Sequence, residues 1–363
     1  MGQEPQASAA ELTKQSAYVI EDTLKALYHL HPSLKSRYGP AGKQRCREDI
    51  AYHLCTLTEA MAAGDAEIFV KYVEWGKIVL TSRKVRTDDL LDCLLLMQDS
   101  ITSRLSADAA KTANIVVQLA IEKFASLADS LPTFLPSDQP TADAANAFLA
   151  ALISSDRNEA RKILRAEKQR GASYGDLCRY IFEPVQREIG RLWQLNHISV
   201  AQEHYCTGSA EILMSEMRDD DAGAKNGHLF VGACVAGEQH SIGIRMVSEI
   251  MEAGGWTVYF TGANTPTASL VDLVKRLKVQ VLGISCATVL NLLALRELMQ
   301  SVRQASAETK IMVGGRIFNE SPGLWKKLNA DGYADSAAKV PAAALKLVQK
   351  KRASARRARA LLT

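Results

Sequence analysis

The residues best suited to chemistry follow an apolar run in the last third of the chain. Glu238 and His240 come after the run HLFVGACVAG, and Gly243 lies three positions further on. A carboxylate this close to a histidine can hold one ring nitrogen and leave the other free as a metal ligand of defined tautomer. The glycine lets a bulky group pass close to the backbone. The spacing predicts a metal-binding histidine, with a purely structural histidine as the alternative.

Small and polar residues also follow the next apolar runs. Thr261 and Gly262 come after the second run, Ser285 and Thr288 after the third, and GGR after the fourth. Neither GxGxxG after the first run nor GxxxxGK[ST] anywhere is present, which argues against a phosphate cradle. The pattern predicts room for a large ligand with many hydrogen-bonding groups.

These residues can meet only if a sheet brings the strand ends together. Five short apolar runs alternate with helical patterns over residues 226–350, which predicts a flavodoxin-like, doubly wound parallel sheet. Residues 141–222 predict a four-helix bundle, because four helical segments are joined by short breaks. Residues 1–135 predict an all-helical, globin-like domain, and a proline-rich linker follows. The predicted fold class is multidomain α plus α/β, with a basic tail over 351–363.

Composition narrows the function classes. The chain has 363 residues and a net charge of +4, and its C-terminal run KKRASARRAR carries much of the excess. This mild charge is poor support for a nucleic-acid binder, and no DNA-binding motif is present. The seven cysteines form no CxxC pair, no apolar stretch is long enough for a membrane span, and the N-terminus lacks a signal-peptide layout. We therefore expect a cytoplasmic protein with reduced thiols.

The strand-end residues closely resemble the DxHxxG…S…GG pattern of cobalamin-binding domains. The matching positions are Glu238, His240, Gly243, Ser285, Gly314 and Gly315. The resemblance implies that His240 is the lower axial ligand of cobalt in place of the cofactor's benzimidazole. It also implies that Glu238 supports this histidine and that the nucleotide tail threads past the serine and glycine positions. Glutamate replaces the commoner aspartate, which implies a different hydrogen-bond geometry, and a flavodoxin-like domain without a corrinoid is the alternative.

The bundle region carries a second set of candidates. Trp193 precedes Glu203 and His204 by ten residues, and Ser199-x-x-Gln202 between them is a capping box that starts a new helix. W-x9-EH resembles CarH-like light sensors, in which these residues surround the adenosyl group of adenosylcobalamin. Gln194 stands where those sensors often have a cobalt-capturing histidine. The alternative is a core tryptophan beside an exposed helix start.

The first region contains a motif of its own. Cys46, Asp49 and His53 share one helix face, with Tyr52 beside them, and AGD follows at residues 63–65. This resembles the chromophore helix of phycobiliproteins and implies a bilin such as biliverdin, with a thioether through the cysteine and the aspartate facing the pyrrole nitrogens. Arg47 is one position from the family's arginine. A dimerisation module is the alternative, and the stretch HLHP is weak support for haem.

Together these resemblances point to the photocobilins, which sense light with cobalamin and a bilin. They imply a non-catalytic photoreceptor that forms a homo-oligomer. In such a photoreceptor, light breaks the cobalt–carbon bond of adenosylcobalamin and thereby changes the quaternary structure of this homo-oligomer. Two alternatives stay open: a corrinoid protein that carries a methyl group for a methyltransferase, and a cobalamin sensor indifferent to light. The residues do not identify an output partner.

Overall fold

The structure is a computed structural model that describes residues 3–135, 137, 141–218 and 224–349. The chain divides after Leu131 into two units. The basic tail predicted for 351–363 lies outside the described residues. Within the described ranges, no helix combines the length and the apolar character needed to cross a membrane.

In the described residues of the first unit, all regular secondary structure is helical, as predicted. Its long second helix is kinked where Gly39, at φ +63°, precedes a proline, and it ends at Gly64, which closes the last turn in the left-handed conformation. The first helix packs against the second, fourth and fifth. The five helices are α1 (Gln3–Leu30), α2 (Leu34–Ala63), α3 (Glu67–Ser82), α4 (Asp88–Arg104) and α5 (Ala107–Lys123).

The second unit begins with the predicted four-helix bundle. Its helices are α6 (Ala142–Ile153), α7 (Arg157–Gln169), a composite third helix, and α10 (Val200–Met217). The composite helix consists of α8 (Tyr174–Leu177), a π turn over Cys178–Phe182, and α9 (Glu183–Gln194). Side-chain caps at Asp156, Ser173 and Ser199 satisfy free amides at three helix starts.

The five-stranded sheet follows, with all strands parallel in the order β2-β1-β3-β4-β5. Burial on both faces explains why the central strands read as continuous apolar runs. Pairing of Cys234 with Ser285, and of Ser285 with Gly314, sets three strand ends at one level. The strands are β1 (Leu229–Cys234), β2 (Thr257–Gly262), β3 (Val281–Ser285), β4 (Lys310–Gly314) and β5 (Gly332–Tyr333).

Helices connect successive strands, so the predicted fold class is confirmed. They are α11 (Ile242–Ala253), α12 (Thr267–Leu277), α13 (Leu292–Ala305), α14 (Arg316–Glu320) and α15 (Leu324–Lys327), and a last helix, α16, covers 340–349. Helices α11 and α16 share an apolar cluster with β1, β3 and β4.

The bundle is attached to the sheet domain through α11. Met246 of α11 belongs to the apolar core of the bundle. The buried Tyr174 hydroxyl donates a hydrogen bond to Glu249, and Arg245 pairs with the same carboxylate at 3.1 Å. Because α11 begins two residues after His240, one helix joins the candidate ligand to the bundle.

Candidate functional site

Glu238 and His240 form a hydrogen-bonded pair on the loop after β1. Glu238 Oε1 lies 2.5 Å from His240 Nδ1 and 3.0 Å from the His240 backbone nitrogen, which donates to it. The Glu238 side chain is 1% exposed, whereas the His240 side chain is 66% exposed. Among the described residues, His240 Nε2 has no hydrogen-bond partner. The pair therefore presents one free, outward-facing imidazole nitrogen.

The second carboxylate oxygen of Glu238 is held by the loop after β3. It accepts hydrogen bonds from the backbone nitrogens of Ala287 at 2.7 Å and Thr288 at 3.2 Å, and from Asn291 Nδ2 at 3.1 Å. A buried carboxylate is stable only when its oxygens are satisfied in this way. Glu238 thus joins two strand-end loops that are about 50 residues apart in sequence.

The hydrogen bonds also set the charges of the pair. Burial alone would raise the pKa of Glu238, but the hydrogen bonds from His240 and Ala287 outweigh burial and lower it to about 2. The hydrogen bond to Glu238 raises the pKa of His240 against the effect of burial. The charge of Glu203 acts in the same direction, and that of Arg316 opposes it. The carboxylate is charged at neutral pH and orients the imidazole.

Two glycines leave space at the same edge of the sheet. A β-carbon at Gly243 would meet nothing within 4 Å, so the start of α11 is open. Gly315 has φ +109°, and a β-carbon there would lie 2.3 Å from the carbonyl oxygen of Cys286. Only glycine fits at position 315, whereas at position 243 the open space is available to a ligand.

Ser285, Thr288 and Gly314 lie at this edge too, as predicted. The buried Ser285 is paired with Cys234 on the neighbouring strand, and the Cys234 thiol donates to the His240 carbonyl at 3.6 Å. The Thr288 hydroxyl accepts from Asn291 Nδ2 at 2.9 Å. Gly314 ends β4, and its carbonyl accepts from the Cys286 backbone nitrogen at 3.0 Å. Their predicted contacts with a nucleotide tail stay predictions.

The bundle candidates lie at the junction between α9 and α10. Trp193 is partly buried against the bundle core near the end of α9. Glu203 and His204 occupy the first turn of α10, where Glu203 Oε2 lies 3.4 Å from the exposed His204 ring. Gln194 is buried and therefore does not face an open pocket. Their predicted arrangement around an adenosyl group stays a prediction.

The first unit places its four candidates on α2 but in unlike surroundings. Cys46 is half-buried, Asp49 and Tyr52 are exposed, and His53 is buried with Nδ1 2.9 Å from the Tyr72 hydroxyl. Burial lowers the pKa of His53 to about 4 and raises that of the Cys46 thiol. A neutral histidine and a protonated thiol line this face, so Cys46 is not a ready nucleophile.

Two salt bridges bear on the other readings of this unit. Arg47 forms a two-point ion pair with Glu21, at 2.7 and 2.9 Å. His31 Nε2 lies 2.7 Å from Asp92, which occupies a nitrogen that haem would need. The roles of Arg47 in binding a bilin propionate and of HLHP in binding haem gain no support from this geometry.

Sequence reasoning did not identify the contacts by which two asparagines hold the Glu238 loop, although it placed Asn264 at this edge of the sheet. Asn264, after β2, accepts from the Gly237 backbone nitrogen at 2.8 Å and donates its own backbone nitrogen to the Glu238 carbonyl at 2.8 Å. Asn291 contacts the carboxylate itself. The signal for Asn264 was its place just after the second apolar run, and the signal for Asn291 was a polar residue within the largely apolar stretch TVLNLLAL, just before α13.

The donor set fits a cobalt corrinoid. A neutral imidazole that hydrogen-bonds a carboxylate through one nitrogen is a suitable axial ligand for a transition metal through the other. The described residues contain no group of three or more histidine, cysteine, aspartate or glutamate side chains arranged to hold a metal ion by themselves. A single protein ligand suits a metal whose remaining ligands come from a macrocycle.

Comparison with known families supports this chemistry. Residues 229–342 match the family model described as B12 binding domain, and residues 144–215 match a second family with the same description. Residues 2–124 match the family described as Phycobilisome protein. The two B12 matches cover the sheet domain and the bundle, so the second unit is a cobalamin-binding unit, as predicted.

Relatives carry the same cofactor class in their names. Dimethylamine corrinoid protein 2 of Methanosarcina mazei is 29% identical over 164 residues, covering 44% of this chain and 74% of its own. The dimethylamine corrinoid protein of Methanosarcina barkeri is 28% identical over 167 residues, covering 45% of this chain and 76% of its own. The solved monomethylamine corrinoid protein of Methanosarcina barkeri gives a TM-score of 0.49 at 18% identity, covering 57% of this chain and 99% of its own. Light sensing stays a prediction.

Proposed function

We propose that this chain is a corrinoid carrier that presents a cobalt-bound methyl group to a partner methyltransferase. The observation that carries the proposal is the buried Glu238 holding His240 with its outer nitrogen free. The matched relatives are named as methylamine corrinoid proteins, which favours the methyl-carrier alternative over the light sensor.

Each residue of the site has a defined task in this proposal. A bound corrinoid supplies a cobalt atom that can accept and release a methyl group. His240 would bind the lower face of the cobalt through Nε2, and Glu238 fixes the ring so that Nδ1 carries the proton. The open backbone at Gly243 would let the macrocycle approach the loop. The first turn of α10, which carries Glu203, would border the opposite face.

Reconstitution with hydroxocobalamin tests the proposal. We expect the wild-type protein to retain about one corrinoid per chain after gel filtration. His240→Ala should weaken retention by roughly tenfold to a hundredfold, while His29→Ala, an exposed histidine of the first unit, should not. Reduction to Co(I) followed by methyl iodide should then give protein-bound methylcobalamin. Equal retention by His240→Ala and the wild-type protein would contradict the proposal.

A specific observation favours a second candidate, the adenosylcobalamin light sensor. The Phycobilisome protein match covers residues 2–124, which is nearly the whole first unit. In this candidate, biliverdin would occupy the α2 face beside Cys46 and Asp49, and Trp193, Glu203 and His204 would enclose the adenosyl group. A homo-oligomer that changes with light would carry the signal.

Cofactor preference separates the two candidates. A light sensor should bind adenosylcobalamin more tightly than methylcobalamin in the dark, lose that preference in Trp193→Ala, and change its elution volume after green light. It should also retain biliverdin with a red-shifted band. A carrier should show no preference for the adenosyl form and no light-dependent change in assembly.

A further inference from the structure

One carboxylate on α11 holds the bundle against the sheet domain. Glu249 lies on the bundle side of this helix, and its side chain is only 9% exposed. Its two oxygens accept hydrogen bonds from two different groups, the buried Tyr174 hydroxyl of α8 and Arg245 Nε. A buried carboxylate is stable only when it is paired in this way. Glu249 therefore stays bound to both donors while the bundle is packed on α11.

Arg245 extends this contact to α10. Its Nη2 donates to the Ser215 hydroxyl in the last turn of α10. Two turns further along α11, Glu252 pairs at 2.7 Å with Arg218, which directly follows α10. The C-terminal end of α10 is therefore fixed to α11 by two polar contacts.

The N-terminal end of α10 lies near the candidate cobalt ligand. Glu203 is in its first turn, and the charge of Glu203 raises the pKa of His240. Because a helix rises about 1.5 Å per residue, Glu203 and Ser215 are about 18 Å apart along α10. Over that length, a tilt of α10 by about 10° would move Glu203 by about 3 Å. A small change at the fixed end thus alters the space above His240.

Hydrogen bonds are needed to fix this tilt, because apolar contacts do not set a direction. Met246 of α11 packs into the bundle core, but such packing is non-directional and tolerates small rotations. The hydrogen bonds of Glu249 are directional. Their donor on α8 is rigidly placed, since Tyr174 is 3% exposed and directly follows Ser173, which caps α8 in a capping box.

We infer that Glu249 is a positioning residue that sets, through α10, the size of the group that the cobalt can carry on the face opposite His240. The inference rests on the proposed function, because it concerns the cobalt that His240 would bind. While Tyr174 and Arg245 hold Glu249, α10 keeps one tilt and Glu203 keeps one distance from His240. A methyl group needs far less of this space than an adenosyl group does.

Tyr174→Phe is the mildest substitution that tests the contact. It removes the hydroxyl, keeps the ring in the core and leaves the pair between Glu249 and Arg245 intact. Tyr205→Phe is the matched control, because the Tyr205 hydroxyl donates to the Ser155 carbonyl at 3.1 Å and makes no contact with α11. Both variants lose one hydroxyl from the same bundle.

Glu249→Gln is the stronger substitution. The amide keeps the shape of the side chain but offers one acceptor oxygen to two donors, so it loses either Tyr174 or Arg245. Glu216→Gln is its matched control, because Glu216 of α10 receives Arg161 of α7 at 2.6 and 2.9 Å, within the bundle.

The measurement is the ratio of the dissociation constants of adenosylcobalamin and methylcobalamin, determined in the dark. A merely destabilised protein would bind both cobalamins more weakly and leave the ratio unchanged. We expect the wild-type protein to bind methylcobalamin roughly tenfold more tightly, because the larger group overfills the space. Tyr174→Phe should lower this ratio roughly threefold and Glu249→Gln should bring it close to one. Tyr205→Phe and Glu216→Gln should keep the wild-type ratio.

Failure of the proposed function and failure of the inference give different results. A wild-type protein that retains neither cobalamin would overturn both. Equal affinities in the wild type, or an unchanged ratio in both Tyr174→Phe and Glu249→Gln, would overturn the inference alone. A wild-type preference for adenosylcobalamin would overturn the carrier, and the inference would then stand only if the two variants lessen that preference. Circular dichroism checks folding, and if Glu249→Gln does not fold, the ratio in Tyr174→Phe decides.

Discussion

The two candidate sites of this chain are built in opposite ways. In the second unit, Glu238 gathers donors from a loop about 50 residues further along the chain, and both of its carboxylate oxygens accept hydrogen bonds. In the first unit, Cys46, Asp49 and His53 stand on one helix, and only His53 is buried. When residues from separate loops meet at one side chain, the geometry of the site is tightly constrained. Residues along one helix face, by contrast, are compatible with several functions. The difference explains why cobalamin binding could be inferred more securely than bilin binding.

The largest expected effect comes from removing the central carboxylate. Glu238→Ala leaves five N–H donors without their acceptor, three of them on the half-buried residues Ala287, Thr288 and Asn291, so we expect the second unit to lose about 4 kcal/mol of unfolding free energy. Asp49→Ala, at an exposed position of the first unit, should change stability by less than about 0.5 kcal/mol. Hydrogen-exchange mass spectrometry of peptides from each unit measures both values. Equal losses of unfolding free energy in the two units would contradict the expected difference between the two sites.

The next largest loss of stability is expected from substitution of Gly315. Gly315→Ala places a β-carbon against the Cys286 carbonyl at φ +109°, and should cost about 3 kcal/mol. Gly64→Ala in the first unit has φ +61° and open space around it, and should cost about 1 kcal/mol. Denaturant unfolding followed by hydrogen exchange gives both numbers. If Gly315→Ala is as stable as Gly64→Ala, the backbone at the β3–β4 edge can shift to accommodate the added β-carbon at little cost.

A pH effect is expected in the first unit. His53 has its pKa lowered to about 4 by burial, so the unfolded chain takes up this proton first as the pH falls below about 6.5. Its stability contribution is complete above that pH and should fall by about 2 kcal/mol between pH 7 and pH 5. Hydrogen exchange of α2 at the two pH values measures the change. In His53→Gln, whose amide does not titrate, this part of the pH dependence should vanish.

The substitution with the smallest expected effect on stability, Gly243→Ala, should still weaken corrinoid binding. Gly243→Ala meets nothing within 4 Å and lies in the first turn of α11, so the fold should gain about 0.5 kcal/mol. If the corrin ring passes this backbone, its affinity should fall roughly tenfold. Gly76→Ala in α3 is the matched substitution in the other unit and should leave corrinoid affinity unchanged. Hydroxocobalamin titration provides the test, and unaltered affinity in Gly243→Ala would remove this glycine from the site.

Much of the fold could be predicted because local patterns and global packing agree. Short apolar runs alternating with amphipathic segments predict a parallel sheet, and the capping residues Ser173 and Ser199 mark helix starts from sequence alone. The pairing of Glu238 with His240 was also predictable, because it is local. Asn264 and Asn291 were not, since their contact with the loop depends on the spatial order of strands. The burial of His53 was hidden for a related reason, because Tyr72 lies on another helix.

Backbone amides of the loop after β3 hold Glu238, and this determines which sequence changes related proteins can tolerate there. Ala287 and Thr288 reach Glu238 through their N–H groups, which every residue except proline possesses. Residue identity at position 287 is therefore free to vary while the carboxylate keeps its donors, whereas the Thr288 hydroxyl also accepts from Asn291. A deletion of one residue would move both amides out of register at once. Among homologues, the length of the loop after β3 should therefore be conserved more strictly than the residue at position 287.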